Sequence, residues 1–113
     1  MKIYHNPRCS KSRQTLTLIQ EKEKEVEIIE YLKNPPIFED LELILVKLAI
    51  SPIDLIRNKE EIWKENFKGK VLTDKEIIKA MVDYPKIMER PIIINGMKAT
   101  IGRPPENVLE IID

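Results

Sequence analysis

The sequence predicts an α/β (α+β) protein with a mixed β-sheet interrupted by a helical segment. Three observations predict this. The first 31 residues read strand, helix, strand. From Phe38 to Val82 the apolar residues change to helical spacing. From Pro91 the pattern returns to short β-rich runs around Asn95-Gly96, a strong hairpin signal.

Residues 2–4 are short, apolar and aromatic, as a buried strand is. His5-Asn6-Pro7 breaks that run. A helix is expected over 10–24, with Thr15, Leu16 and Ile19 on one face and a solvated end from Gln20 to Glu25. Residues 26–31 (VEIIEY) form a second β-rich run, ended by Asn34-Pro35-Pro36. These pieces make a βαβ unit, so its strands are expected to be parallel with a right-handed crossover.

Phe38, Leu41, Ile44, Leu45 and Leu48 follow the spacing of an amphipathic helix. Ser51-Pro52 offers an N-cap and a first-turn proline for a short helix to about Ile56. Another is expected over 60–66, with Ile62, Trp63 and Phe67 turned inward. Thr73-Asp74-Lys75-Glu76 is a capping-box pattern. It opens a helix carrying Ile77, Ile78, Met81 and Val82, stopped before Pro85. Residues 91–94 read as a strand and 97–101 as its hairpin partner. Gly102-Arg103-Pro104-Pro105 then turns into a last helix over 106–112. The whole is expected to be one domain, 1–113, with a helical insert at about 38–83 between βαβ and ββα halves.

Length and composition bound the function. With 113 residues, 42% hydrophobic and 34% charged, the chain has an ordinary globular make-up. Its 19 basic and 19 acidic residues balance, which argues against nucleic-acid or membrane binding through bulk charge. No apolar run reaches membrane-spanning length, and a soluble cytoplasmic protein is expected. A monomer is expected too, since nothing in the sequence suggests a self-complementary apolar patch. One cysteine excludes an internal disulfide, and with one histidine it makes a metal site improbable.

That cysteine, Cys9, stands in His5-Asn6-Pro7-Arg8-Cys9-Ser10-Lys11-Ser12-Arg13, at the junction of the first strand and first helix. A helix N-terminus favours thiolate over thiol, and Arg8, Lys11 and Arg13 add positive charge. A pKa below the free value is therefore expected. The competing reading is a buried structural cysteine. Ser12 holds the position of a resolving thiol in Cys-x-x-Cys enzymes, but its hydroxyl cannot resolve a disulfide. It either supports the thiolate or satisfies backbone in the first helical turn. His5 either tunes the thiolate or is a polar strand end. The chain has 14 Lys and only 5 Arg, so Arg57, Arg90 and Arg103 at element boundaries draw notice. Arginine forks suit a tetrahedral oxyanion, although each could equally be a surface ion pair.

HNPRCSKSR, MERPIII and GRPPE together resemble the ArsC family of glutaredoxin-dependent arsenate reductases, from Lys2 to Ile112. The resemblance implies a thioredoxin/glutaredoxin-like fold with a four-stranded mixed sheet. It implies that Cys9 is the catalytic cysteine, and that Arg57, Arg90 and Arg103 hold the oxyanion and its reduced product. It implies that His5 helps to tune the cysteine, that Ser12 hydrogen-bonds its sulfur, and that Pro91 is a cis-proline facing it. The implied chemistry begins with a thiol–arsenic(V) adduct on Cys9. Glutathione attacks next, arsenic falls to the +3 state, glutaredoxin removes the glutathione, and arsenite leaves. No bound cofactor is implied, since glutathione acts as co-substrate. The family's best-known loop reads HNPACGTSRN, where this chain has Arg8, Ser10, Lys11 and Gln14 in place of small or neutral residues. Two other readings compete: a related thiol reductase or oxyanion binder with another substrate, and a redox regulator of the Spx type that binds RNA polymerase. The latter share an RPI segment but lack GRPPE.

Overall fold

The computed structural model of the protein describes residues 1–112. The chain forms two compact units: Met1–Asn34 with the chain from Arg90 onward, and Pro35–Glu89.

The first unit is built on a four-stranded mixed sheet ordered β2-β1-β3-β4. Its strands are β1 (Lys2–His5), β2 (Glu27–Glu30), β3 (Ile92–Asn95) and β4 (Lys98–Ile101). As expected of a βαβ unit, β1 and β2 are parallel, with Lys2 opposite Glu27 and His5 opposite Glu30. Antiparallel β3 pairs on the other side of β1, with Ile3 opposite Ile93. The β3–β4 hairpin turns at Asn95-Gly96, where Gly96 adopts φ +63, a conformation that costs a side-chain-bearing residue energy. Central β1 and β3 are buried, whereas β2 is a half-exposed edge strand with Ile28 in solvent. Between β1 and β2 runs α1 (Ser10–Glu21), which buries Ser12, Thr15 and Ile19. Ile3, Ile19, Ile93, Val108 and Ile111 form a core that joins both ends of the chain.

The second unit is helical, as its spacing predicts. It contains α2 (Phe38–Leu48), α3 (Glu61–Asn66) and α4 (Asp74–Asp83). The capping box closes at Thr73: its Oγ1 accepts from Glu76 N–H at 3.2 Å, and Glu76 Oε1 accepts from Thr73 N–H at 2.9 Å. Trp63 is buried and stacks on Phe67 at 5.3 Å, while Ile62 and Phe67 are half-buried.

Three expected helices are corrected. α1 ends at Glu21 rather than residue 24, because Glu23 takes a left-handed φ of 57. The N–H groups of Glu23 and Lys24 fold back on Gln20 and Ile19 carbonyls instead of extending the helix. The segments after Ser51 and after Pro104 are 3-10 turns, Pro52–Leu55 and Pro105–Glu110. Their bonds span three residues, such as Asp54 N–H to Ser51 O and Asn107 N–H to Pro104 O, both 3.0 Å. Short proline-led segments gain little from the longer α-helical ladder. The strands also shift slightly: β1 extends to His5, and β3 begins at Ile92 after the cis Arg90–Pro91 bond.

Candidate active site

The loop from β1 to α1 is organised by its own short polar side chains. Asn6 Oδ1 accepts from Arg8 N–H at 3.0 Å, and Asn6 O accepts from Cys9 N–H at 3.0 Å. This turn delivers Cys9 to the position just before α1, in extended conformation (φ −93, ψ 122). Cys9 is the N-cap of α1 and makes no side-chain cap hydrogen bond, but the backbone N–H of Ser12 in the first turn favours the thiolate. The Ser12 hydroxyl serves the loop instead. Its Oγ lies 2.6 Å from His5 Nδ1 and accepts from Asn6 N–H at 3.1 Å. Burial holds the His5 pKa below its ordinary value, with Glu30 opposing this and Arg13 adding to it.

Two arginines reach Cys9 from the far end of the sequence. Arg103 Nη2 lies 3.5 Å from Cys9 Sγ, and its Nε donates to the Arg90 carbonyl at 2.8 Å. Arg90 also acts on the sulfur in favour of thiolate, while its Nε and Nη1 are buried with no hydrogen-bond partner among the described residues. Burial pushes the Cys9 thiol up. The Ser12 N–H and the charged side chains of Arg90 and Arg103 outweigh that and hold it below its ordinary value. The charges responsible are therefore the distant arginines rather than the neighbouring Arg8, Lys11 and Arg13.

The segment carrying Arg90 and Arg103 is closely fitted. Both Arg90–Pro91 and Arg103–Pro104 are cis. Gly102 leaves no room for a side chain: a Cβ there would stand 2.5 Å from Thr15 Oγ1 and 2.8 Å from Pro91 Cγ. Asn107 Nδ2 donates to the carbonyls of Ile101 and Arg103 at 3.2 and 3.1 Å, pinning the turn. Sequence reasoning placed Asn6, Thr15 and Gly102 in the loop, helix face and turn but gave them no part in the site, and did not mark Asn107 at all. Only Asn6-Pro7 carried a local signal, the turn preference of asparagine before proline. Arg57 belongs to the second unit. Its N–H donates to Ile87 O at 2.7 Å, and its Nε lies 3.8 Å from Glu60 Oε2.

A buried thiol biased toward thiolate, beside guanidinium donors, can attack an electrophilic centre that carries anionic oxygens. Comparison with known proteins follows the same direction. The ArsC family model matches residues 4–111. The chain is 50% identical over 114 residues to the protein YfgD of Escherichia coli K12, covering 99% of this chain and 96% of that one. It is 45% identical over 112 residues to an arsenate reductase of Haemophilus influenzae, covering 97% of each. The structure of an arsenate reductase from Vibrio cholerae superposes with a TM-score of 0.93 at 41% identity, covering 99% of this chain and 98% of that one.

Proposed function

From the premise that this chain belongs to the ArsC family, with its thioredoxin-like fold, we propose that it reduces arsenate to arsenite using glutathione and glutaredoxin. The observation that carries the proposal is the pairing of a lowered-pKa Cys9 with buried donors on Arg90 that have no partner among the described residues. A buried guanidinium N–H without an acceptor is costly, and an oxyanion on Cys9 would satisfy it.

Cys9 thiolate attacks arsenic(V), forming an S–As bond as one arsenate oxygen leaves as water. Glutathione then replaces a second oxygen, again as water, and arsenic carries two sulfurs. A glutaredoxin thiolate attacks the glutathione sulfur. The As–S bond to glutathione breaks, and its electron pair stays on arsenic, which becomes arsenic(III). Glutaredoxin departs as its mixed disulfide with glutathione. Water finally displaces Cys9, releasing arsenite and restoring the thiol. Arg90 and Arg103 neutralise the oxygens during attack, and we assign Arg57 to the same anion clamp by family resemblance. His5 and Ser12 act as positioning residues that hold the loop carrying Cys9. Because glutathione and glutaredoxin supply the remaining thiols, one cysteine suffices, and a monomer in a reducing cytoplasm fits this chemistry.

The test is arsenate-dependent NADPH oxidation coupled through glutathione, glutaredoxin and glutathione reductase. Wild type should turn over and Cys9→Ser should not. Arg57→Ala and Arg103→Ala should each lose about 10- to 100-fold in kcat/KM, as expected for a charged hydrogen bond. No wild-type turnover with a reactive Cys9 thiol would overturn arsenate as substrate.

A further inference from the structure

Arg103 reaches Cys9 from a turn whose backbone cannot close on itself. A chain reversal is usually tied by an N–H three or four residues ahead of the carbonyl it satisfies. For Ile101 those residues are Pro104 and Pro105, and proline has no N–H. For Arg103 the residue four ahead is Asn107, whose N–H is already given to Pro104 O at 3.0 Å. The half-buried side chain of Asn107 supplies what is missing at both carbonyls. Its Nδ2 carries two hydrogens, and it donates to Ile101 O at 3.2 Å and to Arg103 O at 3.1 Å. Ile101 O also accepts from Arg103 N–H at 2.9 Å, which closes residues 101–103 into a tight three-residue turn.

The consequence falls on the Arg103 side chain. An arginine stem has much rotamer freedom to lose, so holding its head at one point requires restraint at both ends. Arg103 has that restraint. At the head, Nε donates to Arg90 O at 2.8 Å, which sets the plane of the guanidinium. At the root, Asn107 holds the carbonyl of Arg103 itself and that of Ile101 two residues before it. Between these two ties Nη2 comes to 3.5 Å from Cys9 Sγ. A continuous run of hydrogen bonds therefore leads from Asn107 through Arg103 to the sulfur.

We propose that Asn107 is a positioning residue that aims the Arg103 guanidinium at the Cys9 sulfur and at an anion held there. Its carboxamide stands in for the backbone donors that Pro104 and Pro105 lack. The part that concerns the sulfur rests on the geometry of Arg103 alone. The part that concerns the anion rests on the arsenate reading given above.

Asn107→Leu removes both donors at similar bulk, and Asn107→Ala takes its place if the leucine variant does not fold. The first readout is the rate of Cys9 alkylation by iodoacetamide across pH. At neutral pH the rate should fall about threefold, as for the loss of one hydrogen bond that favours the thiolate. At high pH, where the thiol is fully ionised, it should match wild type. A merely loosened fold has the opposite effect, because exposing a buried thiol speeds alkylation at every pH. In an Arg103→Ala background the same substitution should cost nothing more, since its effect runs through Arg103. Asn107→Gln, which keeps the carboxamide on a longer arm, should recover part of the loss. An unchanged rate at neutral pH, a faster rate at every pH, or an equal loss without Arg103 would overturn the assignment. The second readout is the coupled arsenate assay, where Asn107→Leu should lose about three- to tenfold in kcat/KM, again only when Arg103 is present. Full wild-type kcat/KM in the variant would overturn the part that concerns the anion. Wild-type inactivity with arsenate would instead overturn the arsenate reading, and alkylation would still decide the role of Asn107.

Discussion

At Cys9 burial and electrostatics oppose each other, and the sign of the outcome rests on named groups. Burial raises the thiol pKa, and the Ser12 N–H, Arg90 and Arg103 lower it further than burial raises it. A folded thiol that ionises more easily than the unfolded one stabilises the fold in its anionic form. That contribution is fully present above the unfolded pKa, about 8.5, and is lost as pH falls through the folded value. Arg103→Ala removes one charge at 3.5 Å from the sulfur. The midpoint of iodoacetamide alkylation against pH should therefore move upward in this variant. Its stability deficit against wild type, from denaturant titrations, should be larger above pH ~8.5 than well below the alkylation midpoint. A midpoint unchanged by the substitution would remove Arg103 from the account of thiolate stability.

Among the elements, those whose cause is local were legible in sequence. The capping box at Thr73, the Asn95-Gly96 turn and the βαβ order all rest on residues within a few positions of one another. The errors fell where closure depends on one terminal residue or a proline, as at Glu23 and Pro105. The fit of α1 against the β4 end of the sheet was not legible. Gly102 is needed because Thr15 and Pro91, far away in sequence, close on it, and no local pattern records that. Gly102→Ala should destabilise the fold by about 1–3 kcal/mol through overpacking, read from the denaturation midpoint. Thr15→Ala removes the nearest obstructing atom, so the double variant should recover part of the loss. Pro91 still stands at 2.8 Å, so recovery should be incomplete.

At the scale of the whole molecule, the candidate site was half legible for a single reason. The thiol loop is contiguous, so His5, Cys9 and Ser12 could be grouped from sequence, whereas Arg103 lies 94 positions from Cys9. Residue type and family resemblance named Arg90 and Arg103, but only the sheet brings them to the sulfur, by pairing β3 to β1 and turning β4 back. That the Ser12 hydroxyl bonds His5 rather than the sulfur likewise needs coordinates. The site thus depends on a core that joins the two chain ends, Ile3 and Ile19 from one and Ile93, Val108 and Ile111 from the other. Val108 is fully buried in the 3-10 turn that packs on α1. Val108→Ala should cost about 2 kcal/mol, from two buried carbons at about 0.8 kcal/mol each plus the cavity they leave. Hydrogen exchange should show lost protection in α1 and β1 as well as around Val108, because these segments share that core. Cys9 alkylation should become less dependent on Arg103 as the turn loosens. Protection lost only near Val108, with alkylation unchanged, would mean that the C-terminal turn does not hold the site together.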